Sequence, residues 1–414
     1  MHESCAEGGG VRPLTIMDAR RVVLEHVSPL EGWESLPLQA ALHRVLSRDV
    51  VAPFDVPLWD QSTMDGFALR AEDLRGSGGP FQIVGTAENG RAFTGIVGQG
   101  QAVRVMTGAL MPRGADTVVP LESASSLENK LNINNIPKHG QHVRHRGEDL
   151  AEGGRALPAG RRLGPAELGI LASLGMAEVP VRRRPRVALL SVGNPAASFG
   201  RPLGPDEAFD ANRFVLIGLL GDLGVELLDL GAVHGGVEEV ESVIRMAAQG
   251  ADMVLAYSRQ VNPEHGLLRP ILARCAQMAF WEVNIKPGRP LGFGRLGQTW
   301  LFSLPANPVA VMVTYYEVIA DALRKLAGEE APSDRIAFRV RSLSGIRKTP
   351  GRREYLRGKL VHQGDKTCVR IVTGQGSGVL SSMAESDCFI VLPEDSGDLQ
   401  EGDTVMVRPF HGVG

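Results

Sequence analysis

The chain has 414 residues, 43% of them hydrophobic, which is too long for one ordinary core and predicts roughly two to four domains. A formal net charge of −3 supplies no basic footprint and argues against nucleic acid as a partner. Cys5, Cys275, Cys368 and Cys388 are far apart with no CxxC or zinc spacing, no apolar run approaches the roughly 20 residues of a membrane span, and the N-terminus lacks a signal-peptide pattern, so reduced thiols, no membrane insertion and a cytoplasmic location are expected.

Thr15 stands three residues before Asp18 in an acidic variant of the capping box, and Ala19, Val22, Val23 and Val27 recur at helical spacing. A first helix is therefore predicted to about His26, ending before Pro29. A second short amphipathic helix is expected over 38–46, and an extended segment over 50–56. From 59 to 135 the character changes. Short apolar runs at 81–84, 102–106, 117–121 and 130–136 alternate with glycine-rich turns, the pattern of a small β-barrel or sandwich. Another helical run follows at 165–174. The β region, 58–145, is thus read as inserted into an elongated helical domain made of 13–57 and 146–183.

Beyond Pro185 apolar strands and helices alternate: strand 187–190, helix 211–223, strand 225–233, helix 238–249, strand 253–256, later strands at Phe293 and 300–304, and a long helix over 308–327. The expected fold class for 184–329 is a doubly wound, mostly parallel α/β domain. Alternating segments at 336–342, 354–361, 368–372, 388–392 and 404–407 then predict a C-terminal β-barrel domain over 333–414. Open α/β sheets bind ligands beyond the carboxyl ends of their strands. The loop that follows strand 253–256 is therefore a candidate site, yet Tyr257, Ser258, Arg259, Gln260, Val261, Asn262 and Pro263 include neither a carboxylate nor a glycine.

Three further words concentrate chemistry. The first runs Pro57-Leu58-Trp59-Asp60-Gln61-Ser62-Thr63-Met64-Asp65-Gly66-Phe67-Ala68, the second Arg104-Val105-Met106-Thr107-Gly108-Ala109, and the third Arg146-Gly147-Glu148-Asp149. Taken singly they also fit a structural turn, a strand ending at a turn and an exposed ion-pair cluster beside Arg144. In this order, and with Asp210-Ala211-Asn212-Arg213, Ile285-Lys286-Pro287-Gly288-Arg289-Pro290, Leu304-Pro305-Ala306-Asn307-Pro308-Val309, Lys348-Thr349-Pro350-Gly351-Arg352 and Gly374-Gln375-Gly376-Ser377, the chain resembles the molybdopterin molybdenumtransferase family over about 14–410. That family comprises the MoeA proteins of bacteria and the E domain of gephyrin.

The resemblance implies an elongated four-domain homodimer. Its reaction takes molybdate and adenylated molybdopterin as substrates, hydrolyses the adenylate with a divalent cation such as Mg2+, and inserts the metal into the dithiolene. Carried onto matching positions, it makes Asp65, Thr107 and Asp149 contributors from the β side of the cleft and Asp210 the sheet-domain carboxylate and possible metal ligand. Lys286 and Arg289, with Arg213 and Asn307, become candidate oxyanion and substrate binders. The chain also departs from the family words. Val192-Gly193-Asn194-Pro195 stands for Thr-Gly-Asp-Glu, Gly235-Gly236 for a pair of aspartates, Ser258-Arg259-Gln260-Val261-Asn262-Pro263 for a glycine loop, Gly266 for an aspartate, and Ala310 for a serine. Fewer charged oxygen ligands weaken divalent-cation binding. The alternative expectation is therefore a paralogue that holds the cofactor, an intact family member or a molybdoenzyme without turnover.

Overall fold

The computed structural model describes residues 13–75, 80–193, 197, 199–200, 202–204, 208–258, 267–330 and 336–410. These residues form two compact units, one from Met1–Glu34, His43–Ser47 and Val181–Gly414, the other from Ser35–Leu42 and Arg48–Pro180.

The second of these units carries a six-stranded sheet in the order Thr117–Pro120, Gly66–Leu69, Gln101–Val105, Phe81–Ala87, Lys130–Ile133, Ala124–Leu127. Only the Phe81–Ala87 and Gln101–Val105 pair is parallel. Neighbouring residues feed opposite cores, as the two-residue period of a strand requires. Phe67, Leu69, Ala102 and Val119 enter one core, and Ala68, Val103, Val105 and Val118 the other. One sheet covered on both faces therefore replaces two packed sheets, and it leaves Gly66–Leu69 and Thr117–Pro120 buried throughout. The Pro165–Ser173 helix begins where Glu167 reaches back to the Gly164 N–H at 3.0 Å.

The helix expected over 38–46 is not formed. The chain makes a 3-10 turn at Leu38–Ala40 and then turns and short bridges, and His43 adopts φ 63°, a left-handed conformation that interrupts a helix. Helix Ile16–His26 does form, with the Thr15 hydroxyl accepting from the Asp18 N–H at 3.1 Å. It buries Ile16, Ala19 and Val23 in the same core as Leu189, Leu255 and Phe302 of the α/β sheet. Fully burying one such side chain contributes about 1.5–3 kcal/mol.

That sheet runs Glu226–Val233, Arg186–Val192, Met253–Ser258, Thr299–Leu304, Gly292–Leu296, Gln277–Phe280. The first four strands are parallel and the last two pair antiparallel. Val187 and Leu189 point to the face that packs Ala211–Leu223 and the helix starting at Pro308, whereas Ala188, Leu190 and Val192 point to the face under Val237–Gly250 and Leu268–Cys275. Helices on both faces make the sheet doubly wound. The long helix is α-helical over Pro308–Thr314, widens to a π-turn at Tyr315–Ile319 and resumes at Ala320–Leu326.

Five strands, Phe338–Ser342, Arg353–Gln363, Lys366–Ile371, Cys388–Leu392 and Thr404–Pro409, close on themselves through the pairing of Arg353–Gln363 with Cys388–Leu392. Val340, Val369, Ile390 and Val407 fill this barrel. Ile285–Lys286 adds to its rim beside Arg353 and Glu354.

Candidate active site

In the Ser35–Leu42 and Arg48–Pro180 unit, Asp65 and Thr107 meet. The Thr107 N–H and hydroxyl donate to one carboxylate oxygen of Asp65 at 2.7 and 2.8 Å. These bonds, the backbone one foremost, hold the Asp65 carboxyl below the usual carboxylate range. Gly66 must be glycine, because a Cβ there would stand 2.1 Å from the Val119 carbonyl oxygen. Gly108, at φ 81°, turns the chain immediately after Thr107. Asp149 is not joined to this pair. Its carboxylate faces Arg144 at 3.4 Å, while its N–H donates to the Val56 carbonyl at 3.0 Å. The expected pairing of Arg146 with its neighbouring acids differs as well: Arg146 bonds Asp55 at 2.5 Å, and Glu148 accepts from the His145 N–H at 2.9 Å.

In the other unit, Asp210 caps helix Ala211–Leu223. One oxygen accepts from the Arg213 N–H at 3.2 Å and the second from the Tyr257 hydroxyl at 2.7 Å. Tyr257 is fully buried and belongs to the Met253–Ser258 strand, which corrects its placement in a loop. Residues 259–266, with Arg259, Glu264 and His265, lie outside the described residues, as do Asn194 and Pro195. Asn212 donates to the Ala306 carbonyl at 2.7 Å, tying this helix start to Asn307 at the start of the Pro308 helix.

Arg213 is not a free oxyanion donor. Its Nε lies 3.0 and 2.9 Å from the two Asp229 oxygens, and this carboxylate raises the guanidinium's pKa. Arg289 similarly faces Glu282 at 2.9 Å. Lys286 contacts Glu354 at 3.3 Å with 63% of its side chain exposed, so two of its three donors remain available.

A residue that the sequence reading missed completes this region. Arg357, 1% exposed, donates from Nε to the Ser382 hydroxyl at 3.1 Å and from Nη2 to the Gly374 and Gly376 carbonyls, both at 3.0 Å. No carboxylate is among its partners, Nη1 makes no hydrogen bond to a described residue, and burial pushes its pKa down. Gln375 clamps the Arg357 backbone from both sides, and the Ser377 carbonyl accepts from the Val309 N–H at 3.3 Å. The 374–377 loop therefore joins the barrel to the start of the Pro308 helix. Gly288 closes the other side, where a Cβ would stand 3.0 Å from Thr314 Cγ2 and 3.5 Å from the Ala310 carbonyl. The strand Arg353–Gln363 also carries Arg353, Glu354 and Lys359, so no local signal in the sequence singled out Arg357.

Among the described residues no group of three His, Cys, Asp or Glu side chains is placed to hold a metal. Asp210, the expected ligand, already engages both oxygens. The described residues by themselves do not form a protein-built magnesium site.

A doubly wound sheet with a carboxylate capping the helix that begins at Ala211 places the chain among α/β proteins that bind ligands beyond the carboxyl ends of their strands. Residues 14–175 match the MoeA N-terminal region (domain I and II), 188–325 the probable molybdopterin binding domain and 339–410 the MoeA C-terminal region (domain IV). A molybdopterin molybdenumtransferase of Haemophilus influenzae is 34% identical over 96% of this chain and 99% of its own length, and molybdopterin molybdenumtransferase 2 of Mycobacterium tuberculosis is 31% identical over 95% and 98%. The crystal structure of a molybdopterin biosynthesis moeA protein from Pyrococcus horikoshii OT3 superposes with a TM-score of 0.82 at 26% identity, covering 96% of this chain and all of that one. The chain belongs to the molybdopterin molybdenumtransferase family, whose members act in molybdenum cofactor biosynthesis. Among the described residues no helix is long and apolar enough to cross a membrane.

Proposed function

We propose that the chain inserts molybdate into adenylated molybdopterin with release of AMP, as a homodimer in the cytoplasm. The observation that carries this reading is Arg357, a buried guanidinium with no carboxylate among its partners, held by the 374–376 loop. A fixed cation with only neutral partners suits an arriving oxyanion, because its desolvation has already been met by the fold. Arg357 and Lys286 each offer a cation for the oxyanion groups of the substrates.

Two bond changes follow. Water forms a P–O bond at the pyrophosphate linkage as the bridging P–O bond breaks, giving AMP and molybdopterin phosphate. Two Mo–S bonds to the dithiolene then replace two Mo–O bonds, and the displaced oxygens leave as water or hydroxide. No step is assigned to magnesium, since the described residues offer it no site. The free thiols of Cys275, Cys368 and Cys388 agree with a reducing compartment.

Purified protein incubated with adenylated molybdopterin, molybdate and Mg2+ tests the reading. AMP released in step with molybdenum incorporation is the expected result. Saturable binding of the nucleotide without AMP above background would instead establish a binding protein without turnover.

A further inference from the structure

We propose that Tyr257 stands in place of a metal ion at Asp210, its phenol proton satisfying the carboxylate oxygen that a divalent cation would otherwise take. Asp210 is 9% exposed, so a bare carboxylate oxygen there carries a desolvation cost and needs a partner. Such an oxygen is satisfied either by a cation or by a hydrogen-bond donor. In this chain both oxygens have donors: the Arg213 N–H at 3.2 Å, as a helix cap, and the Tyr257 O–H at 2.7 Å. The second is a charge-assisted O–H to carboxylate bond, at the long end of its range.

The surroundings point the same way. Ser191 is the register partner of Tyr257 on the adjacent strand, and its buried hydroxyl oxygen has no hydrogen bond. The amide oxygen of Asn212, two residues past Asp210, is likewise buried without a partner. Neutral oxygen atoms are thus present at this end of the sheet. Gly235 and Gly236 follow the Glu226–Val233 strand, and no three-member acid, His or Cys group exists among the described residues. An acid at Gly235 would be strained, because its φ is 147°, a conformation that side chains rarely adopt. A neutral phenol fits this charge-poor arrangement better than a dication that needs several anionic oxygens. Tyr257 acts through Asp210 and is therefore a positioning residue.

The inference rests on Asp210 belonging to the transferase site, but its test is read without turnover, so failed AMP release and failure of this inference are separate results. Mn2+ is the probe, titrated into the full chain and followed by its electron paramagnetic resonance signal in wild type, Tyr257→Phe, Asp210→Asn and the double variant. In the wild type Asp210→Asn is expected to change Mn2+ affinity less than about 2-fold, while Tyr257→Phe raises affinity roughly 10-fold or more by freeing a charged oxygen ligand. The double variant loses that gain. A wild-type affinity that Asp210→Asn lowers roughly 10-fold, or a folded Tyr257→Phe with unchanged affinity, overturns the proposal. Should Tyr257→Phe fail to fold, the Asp210→Asn comparison decides alone.

Discussion

Replacing Arg357 by Met separates an anion-binding role from that of a loop strut. The guanidinium makes three hydrogen bonds, to Ser382 Oγ and the Gly374 and Gly376 carbonyls. Ser382 keeps its own bond to the Val379 carbonyl at 2.6 Å, so the substitution orphans chiefly the two glycine carbonyls. Each unmade bond costs about 1–3 kcal/mol. Against that, the variant no longer desolvates a charge whose burial costs several kcal/mol. The two effects oppose, and the net change in stability is expected to stay within about 2 kcal/mol. Affinity has no such offset. A hydrogen bond to a charged group is worth about 1.5–3 kcal/mol, so molybdate binding should weaken roughly 10- to 150-fold. Isothermal titration with molybdate, and with sulfate as competitor, reads the affinity, and urea unfolding reads the stability. A folded Arg357→Met with unchanged affinity for both anions refutes the assignment. Arg357→Lys keeps the charge without the fork and should fall between the two.

Asp65 supplies a pH test. Its carboxyl sits below the usual range because the Thr107 N–H and hydroxyl donate to it, so the stability it contributes is complete above the unfolded pKa of about 4 and is lost as pH falls through the lower folded value. The unfolding midpoints of wild type and Asp65→Asn should keep a constant difference above about pH 5 and converge below about pH 4; a difference that instead changes near neutrality contradicts this. Arg408→Met strands Glu317, 2% exposed by side chain and bonded to Arg408 at 2.5 Å, and should cost about 3–5 kcal/mol by calorimetry. Glu317→Gln in that background should restore most of the loss; a single variant as stable as wild type refutes the buried-charge account. Glu354→Gln keeps Lys286 but removes its counter-charge at 3.3 Å, and should tighten molybdate binding several-fold in the same titration, roughly 1 kcal/mol. Weaker binding would place Glu354 on the anion's side.

The parts of the fold that follow from local period were legible in the sequence. Alternation placed the barrel strands and all but Gly66–Leu69 and Ala124–Leu127 of the six-stranded sheet, and apolar runs broken by helical spacing gave the doubly wound domain. The 38–46 error has a physical cause. Ala41, Val45 and Leu46 are buried at helical spacing, but Leu46 bridges to Val181 and His43 sits at positive φ. Gln277–Phe280 was not read as a strand because its pairing depends on a distant glycine. A Cβ on Gly294 would stand 2.6 Å from the Met278 sulfur and 2.5 Å from the Gln277 carbonyl. At the site, the Asp65–Thr107 pair was foreseeable only through family words, since 42 residues separate its members. The pairing of Arg213 with Asp229 and the insertion of Arg357 into the 374–377 loop are tertiary facts with no local signature.

The ion pairs also rank the cations for an incoming oxyanion. Arg213 gives its Nε to both oxygens of Asp229 and a further bond from Nη2 at 2.8 Å, so recruiting it means breaking a bidentate pair. Arg289 and Glu282 form a half-exposed pair, the kind worth about 0–1 kcal/mol, and opening it is cheap but brings a nearby acid along. Lys286 cannot leave Glu354, because the acid is 7% exposed by side chain and would be left charged and unpaired. It does not need to leave, since an ammonium bonded once still presents two donors. Arg357 alone has its charge unopposed and an unbonded amino group. Of the four, Arg357 is therefore the first to test for oxyanion affinity and Lys286 the second.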